Sequence, residues 1–339
     1  MWQTIKLIAS YYFFVGLWST LTVLNLAFSW IFLRKPIFQR KFHKRPTVLD
    51  EDWNHRFIQL SKVRLHYVET GEEGKPLMLL LHGFPEFWYS WRFQLKHFAK
   101  DYRVVAVDQR GYGESDAPVS KDAYSADEIA ADAKEFIEAL GYKNAIVIAH
   151  DWGGAIAWRL AAYYPQAVSR LIVLNCPHPL AMGQLFGKTW KQFLRSWYML
   201  MFQSCSLPEF TIAANDFGFL DQIFQGNHYG LKVNPKNFDE IDMEAWKYTF
   251  SQQGALTGPI NWYRCAMKGK SRLSKNDLIK PPTMIVWGTE DAFLVREGAD
   301  LSLQFCERAR LEFVEGASHW VQQDCPETVN NHIEDFLRE

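Results

Sequence analysis

Residues 145–154 read Ala145-Ile146-Val147-Ile148-Ala149-His150-Asp151-Trp152-Gly153-Gly154, and this order decides how the rest of the chain is read. Ala145 to Ala149 is a short run apolar on both faces, as expected of a parallel strand covered on both sides. Gly153 to Tyr164 follows as an apolar helix. Between them, small residues permit a sharp strand-to-helix turn with Asp151 exposed in a strained position at its apex. A carboxylate there is ionised at neutral pH, is further stabilised by the N–H groups and dipole of the helix, and can attack an electrophilic carbon directly. Taken alone, the stretch also allows Asp151 to be a plain helix cap, a common role for Asp.

The same rhythm extends outward on both sides. Short β-type runs at Phe57 to Leu60 and Val63 to Val68 suggest a hairpin, and apolar runs at Leu77 to Leu81, Val104 to Val107, Leu171 to Leu174, Met284 to Val286 and Leu311 to Val314 alternate with helical stretches such as Ser125 to Leu140. This predicts an α/β class with a mostly parallel sheet flanked by helices. Between Leu174 and Met284 the alternation gives way to an aromatic-rich, helical pattern, and Pro281 and Pro282 mark the return to the sheet. The expected organisation is a core over residues 51–179 and 276–339 with a helical lid inserted at 180–275. Ligands of open α/β sheets bind at the carboxyl ends of strands, so such a lid would roof the site.

Three further strand ends carry chemistry. His82-Gly83-Phe84-Pro85-Glu86 follows Leu77 to Leu81, Gly288-Thr289-Glu290-Asp291 follows Met284 to Val286, and Ser318-His319-Trp320 follows Leu311 to Val314. Nucleophile, acid and histidine thus occur in the chain order of a catalytic triad on this kind of sheet. Asp291 would orient and charge-stabilise His319, with Glu290 as the alternative acid. The position after Leu174 is another place for an acid, but it holds Asn175. His82 reads as a turn residue; His178, His228 and His332 lack an accompanying strand-end acid and read as structural or surface residues.

With these motifs and Asp108-Gln109-Arg110-Gly111-Tyr112-Gly113-Glu114-Ser115, the sequence from about 50 to 337 resembles the α/β-hydrolase superfamily and, within it, the epoxide hydrolases, most closely the membrane-anchored ones related to the soluble epoxide hydrolase. The resemblance implies an α/β-hydrolase fold with Asp151 as nucleophile, Asp291 and His319 as the charge pair, and the backbone N–H groups of Phe84 and Trp152 as an oxyanion hole. It further implies two lid tyrosines that donate to the epoxide oxygen. Of Tyr198, Tyr229, Tyr248 and Tyr263, the settings Trp197-Tyr198-Met199 and Asn261-Trp262-Tyr263-Arg264 match the family pattern, so Tyr198 and Tyr263 are the expected pair, although both could be lid-core aromatics. An alkoxide needs a proton donor, and phenols with pKa near 10 suit that task. Haloalkane dehalogenases share the Asp nucleophile but bind halide through N–H donors; Trp152 fits that scheme, whereas Phe84 stands where the second donor, an Asn, is expected. A dehalogenase and a noncatalytic ligand receptor are the rival readings. No cofactor or metal is expected: Gly187-Lys188-Thr189 lacks the first glycine of a phosphate loop at Met182, and Gly111-Tyr112-Gly113 has Asp116 where a dinucleotide fingerprint needs Gly or Ala.

The amino terminus is separate in character. Leu7 to Leu33 contains no charged residue, longer than the roughly 20 needed to cross a bilayer. It ends in Trp30-Ile31-Phe32-Leu33 and not in a small-residue cleavage site, so an anchor (7–33) followed by a basic linker (34–50) is expected. Six Lys/Arg between Arg34 and Arg45 place that flank, and the body after it, on the cytosolic side, which suggests a single-pass protein of the endoplasmic reticulum. The chain contains no N-x-[ST] sequon.

Composition narrows the class. The 339 residues are 48% hydrophobic and 22% charged, which excludes collagen-like, low-complexity and disordered chains. Residues 1–49 hold seven of the 37 Lys/Arg and none of the 38 Asp/Glu, leaving the remainder at net −8, a poor footprint for nucleic acid. The five cysteines are odd in number and lack C-x-x-C pairs, which argues against a disulfide framework or zinc site. The expected partners are a small lipophilic epoxide, water and a membrane.

Overall fold

A computed structural model of the chain describes residues 2–267, 272–274 and 277–339. The expected lid-to-core junction at 275/276 lies outside the described residues. Eight strands form one sheet: β1 (Asn54–Gln59), β2 (Arg64–Thr70), β3 (Leu77–Leu81), β4 (Arg103–Val107), β5 (Ala145–His150), β6 (Val168–Leu174), β7 (Thr283–Gly288) and β8 (Ala309–Val314). Their spatial order is β1-β2-β4-β3-β5-β6-β7-β8. β1 and β2 form the antiparallel hairpin, β2 runs antiparallel to β4, and every later neighbour is parallel. All residues of β3, β4, β5 and β7 are buried, because helices cover both faces of the central sheet.

The apolar runs locate the strands but not their ends. β6 begins three residues before Leu171: Val168 and Arg170 pair with Ala145 and Ile146, Ser169 is skipped at a register shift between them, and the half-buried Ser169 and Arg170 interrupt the hydrophobic run.

Helices α1 (Trp2–Ile31), α2 (Arg92–Phe98), α3 (Ala126–Ala139) and α4 (Trp152–Tyr163) precede the lid. α3 starts where Ser125 accepts from the Glu128 N–H at 3.2 Å, a serine cap before an acidic first turn. The lid lies between β6 and β7 and consists of α5 (Pro179–Lys188), α6 (Trp190–Arg195), α7 (Trp197–Met201), α8 (Leu207–Gln225), α9 (Glu240–Ser251) and α10 (Thr257–Ala266). α11 (Glu297–Ser302), α12 (Val321–Asp324) and α13 (Pro326–Arg338) complete the core. The lid is joined to the core by buried indoles: Trp246 donates to Pro85 O at 2.8 Å and Trp262 to Arg110 O at 3.0 Å.

Within α1, Ile8–Ile31 is 24 residues long and apolar enough to cross a membrane by length and composition. The stretch after it, expected as a linker, is strapped to the lid. Asn215 and Asp216 donate backbone N–H groups to Ile37 and Gln39, and the buried His43 bridges Asp216 at 2.9 Å and Glu244 at 3.1 Å. This strap sits where α8 is interrupted, at Ala214–Phe217, with φ values of 54°, 55° and 61° at Asn215, Asp216 and Phe217.

Candidate active site

Asp151 follows the last residue of β5 and has φ 48° and ψ −120°. A positive φ at a residue with a side chain costs on the order of 1–3 kcal/mol and persists only where the surroundings enforce it. Here the enforcement is close packing. A Cβ on Gly153 would lie 2.1 Å from Leu81 O, one on Gly154 2.6 Å from Cys176 Cβ, and one on Gly83 2.5 Å from Asp151 Cβ. Three glycines therefore let β3, β5 and α4 converge on the turn that presents Asp151.

Asp151 Oδ1 accepts the Phe84 N–H at 2.9 Å, and Oδ2 lies 3.7 Å from His319 Nε2. Trp152 opens α4, so its N–H belongs to the helix-start donors that no preceding carbonyl satisfies. His319 Nδ1 meets Asp291 Oδ2 at 2.7 Å. Asp291 Oδ1 accepts the Phe293 and Leu294 N–H groups at 2.7 and 2.9 Å, and Asn175 Nδ2 donates to Oδ2 at 2.7 Å. Asp151, Asp291 and His319 are thus brought together from three strand ends, with Phe84 N on the Asp151 carboxylate. Glu290, the alternative acid, makes no such contact with His319 among the described bonds; its N–H goes to Ala317 O.

Electrostatics follows from this geometry. Burial alone would push the His319 pKa down, but the carboxylates of Asp291 and Asp151 overcome it and raise it to about 10. For Asp151, burial opposes ionisation, and His319 with the Phe84 N–H reverses the sign and holds the pKa low. Asp291 is likewise held low against burial by His319, Asn175 and the Leu294 N–H. At neutral pH the free site is a carboxylate–imidazolium–carboxylate row.

The lid closes a cavity of about 360 Å³ over Asp151 and His319. Tyr198 and Tyr263 both line it, their rings 5.9 Å apart, and Tyr263 stands edge-on to Trp152 at 4.8 Å. Burial, with the nearby Asp151 charge adding in both cases, raises both phenol pKa values, so both hydroxyls remain protonated donors at neutral pH. Tyr229 also faces the cavity and stacks on Phe293; Tyr248 lies outside it, under the Arg45 guanidinium.

Some residues around the site were not singled out in the sequence. Glu86 is fully buried: Oε2 accepts the Gly83 N–H at 2.9 Å and meets His150 Nδ1 at 2.6 Å, while Oε1 accepts from Gln322 and Gln323. His150 Nε2 in turn donates to His319 O at 2.9 Å. Glu86 and His150 thus tie the Phe84 loop, the Asp151 turn and the His319 loop together. Asp324 accepts the Ser318 N–H at 2.8 Å and the Val233 and Asn234 N–H groups at 2.9 Å, fixing the histidine loop to the lid. The only sequence signal was a charged residue inside His82 to Glu86 and a histidine inside the turn motif. His82 is a turn residue as expected, with Nδ1 2.9 Å from Gly83 O and Nε2 accepting the Gln109 N–H. Away from the site, His55, His66 and Glu114 bring metal-ligand atoms within 4.8 Å of one another, but His66 bonds His55 and Asp108 through its two nitrogens.

The model of the alpha/beta hydrolase fold matches residues 76–325. Epoxide hydrolase 1 of Caenorhabditis elegans is 49% identical over 305 residues, covering 89% of this chain and 74% of the relative. Epoxide hydrolase 4 of Mus musculus is 42% identical over 336 residues, covering 97% and 92%. Among solved structures, the Bacillus megaterium epoxide hydrolase in complex with an inhibitor superposes with a TM-score of 0.76 at 29% identity, over 84% of this chain and all of that one.

Proposed function

The chain belongs to the α/β-hydrolase fold family and, within it, to the epoxide hydrolases, and from that premise we propose that it converts lipophilic epoxides to vicinal diols through an ester formed on Asp151. The observation that carries this reading is a single cavity lined at once by Asp151, His319 and the two hydroxyl donors Tyr198 and Tyr263.

Asp151 attacks an epoxide carbon; the C–O bond breaks and the oxygen takes a proton from Tyr198 or Tyr263. Esterification removes the Asp151 charge, so His319 loses one of the two carboxylates that hold its proton. The imidazolium then returns a proton to the phenolate and becomes a neutral base. It deprotonates a water, whose hydroxide adds to the ester carbonyl while the Phe84 and Trp152 N–H groups hold the oxyanion. Collapse releases the diol, which takes the carboxyl proton, and restores Asp151 as a carboxylate beside protonated His319.

A halide-releasing reaction would want a side-chain N–H at position 84. Phe84 offers an aromatic ring there, packed edge-on against Phe202 and Tyr263 at 5.6 and 5.3 Å. The aromatic cavity and the apolar α1 favour epoxides of unsaturated fatty acids, met at a membrane of the endoplasmic reticulum by a body on its cytosolic side.

The test is diol formation from a panel of fatty-acid and aryl epoxides by the full chain, read by mass spectrometry beside Asp151→Asn. Diol that disappears in the variant supports the reading. Folded protein that yields no diol from any epoxide sinks it.

A further inference from the structure

The helix expected to act only as a membrane anchor reaches the substrate cavity. Trp18, Leu21, Thr22, Asn25 and Leu26 of α1 line the same cavity as Asp151 and His319. α1 is seated against the lid by specific contacts along its length. Tyr11 donates to Gln203 Oε1 at 3.2 Å, Phe14 packs on Phe193 at 5.1 Å, Trp18 on Trp197 at 5.5 Å, and the hydroxyls of Ser19 and Ser204 lie 2.6 Å apart.

Trp18, Thr22 and Asn25 follow the four- and three-residue spacing of one helix face, and all three line the cavity, Thr22 buried and Asn25 at its exposed rim. Thr22 is 7% exposed and returns its hydroxyl to Trp18 O at 2.8 Å. The Trp18 indole N–H is buried and has no acceptor among the described residues, while the residue itself lines the cavity. The opposite face carries Tyr12, Phe13, Val23 and Leu24, all more than half exposed.

The contacts from Tyr11 to Leu26 cover roughly 24 Å of helix at 1.5 Å per residue, most of a bilayer's hydrocarbon thickness. If that length of α1 lies in hydrocarbon, the lid edge packed on it lies there too. That edge is built for it: Phe186, Trp190 and Leu194 of α5 and α6 are 40%, 75% and 56% exposed.

We propose that α1 is one wall of the substrate site, and that long-chain epoxides enter from the lipid between α1 and the lid, with their chain lying along Trp18, Thr22, Asn25 and Leu26. This deepens the epoxide-hydrolase reading and rests on it. The helix face selects substrates by length, because a short epoxide is held by the tyrosines and Asp151 without reaching α1.

The test uses the full chain in phosphatidylcholine vesicles and compares kcat/KM for a long-chain fatty epoxide with that for a short alkyl epoxide. Asn25→Trp fills the wall and should lower the long-to-short ratio at least tenfold. Val23→Trp, on the outward face, should leave the ratio within twofold. An unchanged ratio in Asn25→Trp, or an equal fall in both variants, overturns the proposal. A second measurement needs no turnover: a long-chain epoxide carrying a diazirine at its far end is photolysed with full-length Asp151→Asn in the same vesicles. Label on the peptide containing Trp18 to Leu26, competed by unlabelled long-chain epoxide, supports the wall; competed label confined to other peptides overturns it. Failure of the activity reading itself shows differently, as wild-type protein that makes no diol from either epoxide.

Discussion

Asn175 and His319 share one oxygen: Asn175 Nδ2 and His319 Nδ1 each meet Asp291 Oδ2 at 2.7 Å. The residue that occupies the alternative acid position is therefore bonded to Asp291, the proposed acid. Its side-chain carbonyl accepts the Gly288 N–H at 3.1 Å, so Asn175 also fixes the strand end that delivers Asp291. Its φ of 44° is positive, as is that of Asp151.

Asn175→Leu should therefore lower diol formation about tenfold, the usual size of a lost orienting bond behind a charged catalytic group. Steady-state kcat measured beside the thermal transition separates this from misfolding: kcat falls while the protein still melts cooperatively.

In the proposed mechanism, His319→Gln removes the base but leaves Asp151 free to attack. Intact-protein mass spectrometry after mixing with epoxide should show the enzyme heavier by one substrate, persisting for hours, with diol release reduced by three orders of magnitude or more, in the range seen when a catalytic base is lost. An unmodified mass would remove His319 from the second step.

Gly83→Ala places a Cβ where Asp151 Cβ already stands, at 2.5 Å, so the Phe84 loop must retreat. Since Phe84 N donates to Asp151 Oδ1 at 2.9 Å, that retreat pulls a donor off the proposed nucleophile. Loss of one such donor typically costs about 100-fold or more in kcat. Single-turnover kinetics should place the loss mainly in ester hydrolysis.

Glu86→Leu would leave the Gly83 N–H, His150 and the amides of Gln322 and Gln323 without their buried partner. Removing one member of a buried charged network costs roughly 3–5 kcal/mol, so chemical denaturation should show a loss of that size.

The melting temperature should fall as pH rises from neutrality toward 10. His319 is raised in the folded chain to about 10 from an ordinary value near 6.5, so its contribution is complete below the ordinary value and lost as pH passes the folded one. Asp151 and Asp291 are lowered, so they act at the other end and lose their contribution only in acid. Scanning calorimetry across pH 7 to 10 should show the decline in wild type and a shallower one in His319→Gln.

Much of the core was legible because its signals are local. Both faces of the central strands are buried, so β3 and β5 appear as uninterrupted apolar runs, and the residues that follow them carry the small, charged and aromatic types that strand-end turns demand. The start of β6 is not legible, because the half-buried Ser169 and Arg170 separate the buried Val168 from the apolar run at Leu171 to Leu174.

By itself, the sequence determined the sheet, the inserted lid, the apolar amino-terminal helix, and the order of Asp151, Asp291 and His319, since each depends on periodicity or on residues adjacent in the chain. Only the tertiary structure decided what those pieces touch: that Asn175 braces Asp291, that Glu86 and His150 join three loops, and that α1 turns Trp18 and Asn25 toward the cavity. The physical reason is that a buried polar group must find its partner wherever the fold brings one, and for Asn175, Glu86 and His150 those partners lie 64 to 169 residues away along the chain.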